Sequence, residues 1–262
     1  MPMAHVAGTP IHYQVDGDPG APPLVLSNSL GTSLEMWEPQ MAAFSGRFRV
    51  IRYDTRGHGQ SEATPGPYTI DQLGQDVLAL LDSLSVVHTH FCGLSMGGAI
   101  GIWLGVNASN RIDRLVLANT GAKIGTPEMW NARIEAVRKG GTASIAGAVL
   151  SRWFTPVMIQ SPTPMVSQMR ATFERTSSEG YAGCCAAVRD LDLRYSLGRI
   201  HRPTLVIAGT EDLATPPSDG RFLADHIDNA RYLELEAPHL SNVQATTAFT
   251  QAVVQFLTQR ME

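Results

Sequence analysis

The chain has 262 residues, of which 44% are hydrophobic and 17% are charged, and its formal net charge at pH 7 is −4. This length and composition suit one large α/β domain, or a domain that carries an inserted subdomain. The slightly acidic balance gives no reason to expect nucleic acid or an anionic membrane surface as a partner.

The N-terminal residues and the cysteine pattern indicate the cellular compartment of the protein. The first ten residues have neither a basic nor an apolar segment, so no secretory signal is expected, and no apolar run of 18 residues is present to cross a bilayer. Cys92, Cys184 and Cys185 are odd in number, and no CxxC spacing or histidine cluster accompanies them. We therefore expect a cytoplasmic protein with neither disulfides nor a metal site.

Short apolar segments, each closed by glycine, asparagine or aspartate, recur along the chain and predict strands. The continuous apolar character of residues 205–208 is typical of a strand that is buried on both faces, as in a parallel sheet. The predicted strands, in chain order, span residues 24–27, 48–53, 87–92, 115–119, 204–208 and 232–235.

Helical patterns lie between these strands. Apolar residues at helical spacing predict a helix over residues 70–84, where Thr69 and Gln72 form a capping box. A last helix is predicted over residues 246–257. Alternating strands and helices predict an α/β fold with a mostly parallel twisted sheet covered by helices.

The alternation stops between residues 122 and 196. This interval has helical patterns and proline-punctuated segments such as SRWFTP, but no convincing buried strand. Ligands of open parallel sheets bind at the carboxyl ends of the strands, and an insertion between two strands would cover that end. We therefore expect an α/β core formed by residues 1–121 and 197–262, and a helical cap formed by residues 122–196.

The sequence GLSMG at residues 93–97 places Ser95 between two glycines, after a predicted strand and before a helical segment. In this context G-x-S-x-G is a nucleophile elbow, a sharp turn that exposes the serine hydroxyl at the carboxyl end of the sheet. The backbone N–H of Met96 would then face a developing oxyanion. A plain glycine-rich turn is the alternative, and we predict that Ser95 is a nucleophile.

A serine nucleophile needs a base and an orienting carboxylate, and in such folds the acid precedes the histidine. His239 is the histidine that follows a late predicted strand and precedes the last helix, so it is the predicted base. A helix-capping surface residue is the alternative role. Asp212, at the end of segment 204–212, is the predicted acid, and Glu211 is its neighbouring competitor.

Two further loops follow predicted strands. The segment 27–31 should supply a second oxyanion donor from the backbone of Leu30, although a plain turn is the alternative. The segment 54–61 contains Asp, His and Ser together, but its two glycines and Arg56 favour a rigid tight turn in which the arginine holds neighbouring carbonyls.

Seven stretches carry a family resemblance over almost the whole length: LSNSLGTSLEMWEPQ, RYDTRGHGQSE, CGLSMGG, NTGAKIGTPEMW, RWFTP, EGYAGCCAAVRD and PHLSNVQ. The chain resembles an α/β-hydrolase, and more narrowly the 3-oxoadipate enol-lactonases of the β-ketoadipate pathway of aromatic degradation. The core motifs are shared by many α/β-hydrolases, whereas the stretches NTGAKIG, RWFTP and GYAGCC are more specific to the family. Ser95, Asp212 and His239 fall on the triad positions of the family.

The resemblance implies a serine hydrolase that opens a lactone through an acyl-enzyme and needs neither a metal nor an organic cofactor. Its substrate would carry a free carboxylate, which needs a cationic partner when it is buried. Arg133 is our prediction for that cation, with Arg138, Arg152 and Arg189 as competitors in the same region. Trp130 and Trp153 are predicted to form the apolar wall, or else to pack within the cap.

The same catalytic residues suit other functions. A generic carboxylesterase or a cofactor-free perhydrolase-like enzyme would use the same triad, and only the cap would distinguish them. A hydrolase-like receptor for a small ligand is the alternative from a different class. Fold analogy alone does not identify the substrate.

Overall fold

The computed structural model describes residues 2–259, in which eight strands form a single sheet. The strands are β1 (Met3–Val6), β2 (Thr9–Asp16), β3 (Pro23–Ser27), β4 (Arg49–Tyr53), β5 (Thr89–Leu94), β6 (Ile112–Ala118), β7 (Thr204–Gly209) and β8 (Arg231–Leu235). Their order across the sheet is β1-β2-β4-β3-β5-β6-β7-β8. The first two strands pair antiparallel to their neighbours, and the other six run parallel. The predicted mostly parallel α/β fold is therefore confirmed.

Two strands were not predicted from the sequence, because β1 and β2 lack the continuous apolar character of a strand buried on both faces. β1 alternates exposed and buried residues, as expected near the edge of a sheet. The strand before the predicted oxyanion loop (residues 27–31) is therefore β3, the third strand of the chain, although it is the first strand that the sequence predicts. The predicted start of β5 at residue 87 is also wrong, since Val87 is 66% exposed and pairing begins at Thr89.

Helices cover both the sheet and its carboxyl end. They are α1 (Glu38–Ser45), α2 (Ile70–Ser83), α3 (Met96–Asn107), α4 (Pro127–Gly140), α5 (Ala146–Trp153), α6 (Pro156–Gln160), α7 (Pro164–Arg175), α8 (Ser178–Arg189), α9 (Pro217–His226), α10 (Ser241–Gln244) and α11 (Thr246–Thr258). Among the described residues, no helix has the length and apolar character needed to cross a membrane.

The helix starts show how local sequence sets this architecture. α2 begins as predicted, because the Thr69 side chain accepts a hydrogen bond from the backbone N–H of Gln72 at 3.0 Å. α3 is apolar on all sides and buried from Met96 to Val106, since it packs against β5 and β6 beneath other helices. This central helix carries the end of the GLSMG turn.

Helices α4 to α8 lie between β6 and β7 in the chain, where the strand–helix alternation stops in the sequence. α4 packs along α8, and α8 approaches the loop after β4 very closely. A Cβ atom on either Gly57 or Gly180 would overlap the backbone of the other glycine, and Gly57 has a φ of +75°. Both positions therefore require glycine for the inserted helices to reach the loop.

Candidate active site

Ser95 occupies a strained turn between β5 and α3. Its φ of 59° and ψ of −117° are unusual for a residue with a side chain. A Cβ atom on Gly93 would overlap the carbonyl of Gly97, and one on Gly97 would overlap the carbonyl of Ser27. The two glycines therefore permit the close packing that forces Ser95 to the carboxyl end of the sheet.

Two backbone amides are positioned near this serine. Met96 is the first residue of α3, so its N–H has no acceptor within the helix. Leu30 lies in the loop after β3 and lines the same pocket as Ser95. The Gly97 N–H donates to the carbonyl of Asn28 at 3.0 Å, which ties that loop to the start of α3. The loop that carries Leu30 is thus joined to the start of α3, which carries Met96, beside Ser95.

His239 and Asp212 form a buried pair. The imidazole Nδ1 lies 2.8 Å from Oδ2 of Asp212, and the two residues are 3% and 2% exposed. Because the carboxylate accepts from Nδ1–H, Nε2 is the ring nitrogen left for the pocket. His239 and Ser95 line that pocket together, although within residues 2–259 no hydrogen bond joins the Ser95 hydroxyl to the imidazole. Such contacts are often loose before a substrate binds.

The carboxylate of Asp212 is held by several donors. Thr215 donates from its backbone N–H and its hydroxyl, Ala214 from its backbone N–H, and Asn119 from its side-chain amide, at 2.8 to 3.0 Å. Burial alone would raise the pKa of Asp212, but the charge of His239 and these hydrogen bonds outweigh it and lower the pKa overall. Asp212 therefore stays ionised and orients the histidine. Glu211, the competitor, is exposed.

The segment 54–61 forms a structural turn instead of a second catalytic group. The Arg56 guanidinium pairs with both carboxylate oxygens of Asp76 at 2.6 and 2.8 Å and donates to Thr9. The expectation that Arg56 holds neighbouring carbonyls is therefore wrong: the positive charge is buried, and the nearby carboxylate compensates it better than a carbonyl would. Asp54 accepts a hydrogen bond from His12.

The pocket above Ser95 has a cavity volume of about 40 Å³, well below the roughly 300–1,000 Å³ of typical ligand sites. Trp130 and Trp153 both line it and are 5% and 3% exposed. Each also packs within the inserted helices: the Trp130 indole donates to the carbonyl of Ile124 at 2.7 Å, and Trp153 makes an edge-to-face contact with Phe173. Both predicted roles, pocket wall and internal packing, are thus combined in each tryptophan.

Two arginines line the same pocket. Arg133 lies over the Trp130 ring three residues earlier on α4, with its guanidinium carbon 4.8 Å from the ring centroid. Burial and the positive charge of Arg133 lower the pKa of Arg152. Neither arginine forms an ion pair with any carboxylate in residues 2–259. The pocket therefore carries positive charge that no carboxylate of the described residues compensates.

The other two competitors lie away from this pocket. Arg138 is exposed, and Arg189 pairs with Asp190 at 2.7 Å outside the pocket. The sequence alone did not single out Asn119 or Tyr181, which also belong to the site. Both occur in the stretches that carry the more specific resemblance, and that was the available signal. Within the described range, no group of three or more His, Cys, Asp or Glu side chains is arranged to hold a metal ion.

A parallel sheet with a serine at a strand-to-helix elbow and a buried histidine–aspartate pair defines an α/β hydrolase. A family model described as the alpha/beta hydrolase fold matches residues 22–140. The crystal structure of an enol-lactonase from Burkholderia xenovorans LB400 superposes with a TM-score of 0.97 at 51% identity, covering 98% of this chain and 100% of that one.

Two curated relatives have similar names. The chain is 45% identical to 3-oxoadipate enol-lactonase 2 and 40% identical to 3-oxoadipate enol-lactonase 1, both of Acinetobacter baylyi. The alignments cover 97% of this chain and 97% of the first relative, and 95% and 94% for the second. The chain belongs to the α/β hydrolases and, within them, to the 3-oxoadipate enol-lactonase family.

Proposed function

We propose that this protein hydrolyses 3-oxoadipate enol-lactone to 3-oxoadipate, a step of the β-ketoadipate pathway of aromatic degradation. The observation that carries the proposal is one pocket that holds Ser95, His239 and two arginines without counter-ions. A neutral ester would leave both arginines unpaired in a half-enclosed site, whereas a lactone with a carboxylate would neutralise charge there. The names of the relatives agree with this substrate class.

In the first half of the reaction, the Ser95 hydroxyl attacks the lactone carbonyl while Nε2 of His239 takes its proton. Asp212 stabilises the imidazolium, and the amides of Leu30 and Met96 donate to the oxyanion. The carbon–oxygen bond of the ring then breaks. The enolate leaves as a good leaving group, takes up a proton and settles as the ketone, and the former ring carbonyl remains as an ester of Ser95.

In the second half, His239 takes a proton from a water molecule that attacks this ester. The tetrahedral intermediate collapses, the proton returns to the Ser95 oxygen, and 3-oxoadipate is released. One water is consumed for each lactone opened, and no electron transfer occurs. The reaction therefore needs no metal or organic cofactor.

Residues 122–196 act in this proposal as a cap over a core formed by residues 1–121 and 197–262. The support is that α4, α5 and α8 of this interval contribute pocket residues, while the serine and histidine come from the rest of the chain. Arg133 and Arg152 of the cap hold the substrate carboxylate. Trp130 and Trp153 provide the apolar wall that limits water around the acyl-enzyme.

We infer that the protein acts in the cytoplasm on a small molecule. Its three cysteines are buried and unpaired, as is usual in a reducing compartment. Burial also raises the pKa of each thiol, to about 12 for Cys185, so that the thiols stay protonated. The net charge of −4 favours neither nucleic acid nor an anionic membrane as a partner.

A matched pair of lactones tests the proposal. α-Angelica lactone has the same enol-lactone ring with a methyl group in place of the carboxymethyl group. We expect kcat/KM for 3-oxoadipate enol-lactone to exceed that for α-angelica lactone by at least about 100-fold, because a site built for a charged group rejects the analogue that lacks it. Equal values, or faster hydrolysis of p-nitrophenyl acetate, would identify a generic esterase instead.

A further inference from the structure

Tyr181, on α8, is a pocket residue with a hydroxyl group that has no partner. It lines the same pocket as Ser95 and His239, and its side chain is fully buried. In the part of the chain that the structure describes, its hydroxyl oxygen makes no hydrogen bond. A buried hydroxyl without a partner costs free energy, so a fold that keeps one beside a ligand site points to a partner on the ligand.

The ring of Tyr181 is held firmly on several sides. Phe173 contacts it edge to face with ring centroids 5.3 Å apart, and the His58 ring lies at 6.3 Å. Gly31, which directly follows Leu30, approaches it so closely that a Cβ there would lie 3.1 Å from the Tyr181 ring. The hydroxyl position is therefore fixed before a ligand arrives, and binding would cost little side-chain entropy.

The hydroxyl is a permanent hydrogen-bond donor. Burial raises the pKa of Tyr181 and the neighbouring Cys185 raises it further, while the Arg133 side chain, through its charge and its contact with the hydroxyl oxygen, and the Arg152 charge oppose these effects only in part. The group thus stays neutral and protonated at any physiological pH. A contact in which Arg133 donates to that oxygen leaves the O–H free to donate to a ligand. Arg133 is also close enough that its guanidinium and the hydroxyl can face one ligand group together.

We propose that the Tyr181 hydroxyl donates a hydrogen bond to the substrate carboxylate held by Arg133, and that Tyr181 thereby determines specificity for the charged lactone. This inference rests on the proposed function. A neutral donor suits the position because the pKa of Arg152 is already lowered, first by burial and then by the positive charge of Arg133. A third cation would add further positive charge, whereas an O–H group adds a bond to the anion without adding charge.

The test is Tyr181→Phe, which removes one oxygen and keeps the ring packing. We expect kcat/KM for 3-oxoadipate enol-lactone to fall about 10- to 100-fold, mainly through KM, because the bond is present in the ground state as well as in the transition state. Values for α-angelica lactone should change less than about twofold. The melting temperature without ligand should be equal or higher, because an unpaired buried hydroxyl is removed.

Tyr232→Phe is the matched control, because that hydroxyl binds Pro217 and Glu234 outside the pocket. Tyr232→Phe should leave kcat/KM unchanged for both 3-oxoadipate enol-lactone and α-angelica lactone. Equal losses of Tyr181→Phe on both lactones would mean a packing role, and unchanged kinetics on the charged lactone would mean no contact with it. Either result overturns the proposal.

A second measurement separates this proposal from the proposed function. Adipate, a dicarboxylate without a lactone ring, should inhibit hydrolysis of p-nitrophenyl acetate competitively, and Tyr181→Phe should raise its inhibition constant about 10-fold or more. If the wild-type protein does not open the charged lactone, the proposed function fails while this measurement still decides the role of Tyr181. An inhibition constant that Tyr181→Phe leaves unchanged overturns that role.

Discussion

Histidine and aspartate side chains form two buried pairs within residues 2–259, and the pairs have nearly the same geometry. His239 Nδ1 lies 2.8 Å from Asp212, and His12 Nδ1 lies 2.7 Å from Asp54. A serine accompanies each pair. Comparing them shows that a buried histidine–aspartate pair is not sufficient for catalysis. The serine hydroxyl and the pocket beside the pair must also be suitable.

The two serines differ in what binds their hydroxyl groups. The Ser61 hydroxyl donates to the carbonyl of Asp54 at 2.7 Å and accepts from the backbone N–H of His12 at 2.9 Å, so both its roles are occupied. The Ser95 hydroxyl forms no hydrogen bond within residues 2–259 and lies at a strained elbow in the pocket. The hydrogen bonds among His12, Asp54 and Ser61 therefore hold β2 against the loop after β4, whereas the Ser95 hydroxyl is free to react.

The spaces beside the two pairs differ as well. The larger, with a cavity volume of about 280 Å³, adjoins His12 and Asp54, whereas the one at Ser95 has a volume of about 40 Å³. Nε2 of His12 is buried and has no partner in the described chain. Pocket size therefore does not point to the proposed active site, whereas an available serine hydroxyl beside unpaired cations does.

The largest expected effect contrasts the two serines. Ser95→Ala should lower kcat for the charged lactone by about 10⁴ or more, because a triad acts as a unit. Ser61→Ala should leave kcat within about tenfold but reduce the free energy of unfolding by about 1–3 kcal/mol, since two buried hydrogen bonds lose a partner. Steady-state kinetics and urea denaturation of both variants check this. A folded Ser95→Ala protein with near wild-type turnover would rule out the triad.

Asp212 and Asp54 should differ as the two serines do, with substitution of the first affecting catalysis and substitution of the second affecting stability. Asp212→Asn should lower kcat by about 10⁴, because an amide cannot hold the productive tautomer of His239. Asp54→Asn, which also loses charge-assisted bonds to Leu34 and Gln60, should mainly lower the melting temperature. Glu211→Gln is the exposed neighbouring control and should be mild. If Glu211→Gln were the more damaging change, the assignment of the acid to Asp212 would be wrong.

A moderate effect contrasts the cations of the two pockets. Arg133→Met should reduce kcat/KM for the carboxylated lactone by about 2 kcal/mol, or about 30-fold, and barely affect α-angelica lactone. Arg175 lines the pocket beside His12, so Arg175→Met should change neither value. Parallel losses on both lactones in Arg133→Met would show that this arginine supports the fold and does not recognise charge.

The smallest expected effect concerns a carboxylate near the catalytic pair. Burial and the charge of Asp212 raise the pKa of Asp219 to about 6. A raised carboxyl pKa destabilises the folded state as pH rises from about 4, its unfolded value, to 6, and the penalty is complete above 6. Asp219→Asn should therefore gain stability above pH 6 and none below about pH 4. The gain should stay under about 1 kcal/mol because Asp219 is partly exposed to solvent, which screens its charge. Melting curves at pH 4 and pH 7 check this, and equal gains at both pH values would contradict it.

Much of the core architecture could be predicted because its signals are local. The apolar stretches of β3 to β8, the Thr69 cap and the glycines around Ser95 each depend on a few neighbouring residues. β1 and β2 were missed since half-exposed strands carry a weaker pattern. The predicted hydrogen-bond partner of Arg56 was wrong because the observed partner, Asp76, lies 20 residues away in the chain and contacts it only in the folded protein.

The proposed catalytic side chains were easier to select from the sequence than the groups that hold them. His239 and Asp212 follow strands whose order is fixed by the fold, so chain position was sufficient. Asn119 connects β6 to Asp212 and to Ser241, contacts between residues far apart in sequence. Nothing local distinguishes Arg152 from Arg138 or Arg189 either, because only the packing of α4, α5 and α8 decides which side chains reach the pocket.

The end of α5 has a consequence for engineering this enzyme. The carbonyls of Arg152 and Trp153 accept hydrogen bonds from the backbone N–H groups of His239 and Leu240, at 3.4 and 3.3 Å. A chimera that exchanges the inserted helices for those of another hydrolase would therefore also replace acceptors of the loop that carries the base. Grafts that retain residues 150–154 should keep turnover while specificity changes. Chimeras whose junction falls within residues 150–154 should lose turnover as well as the original specificity, even if every triad residue is present.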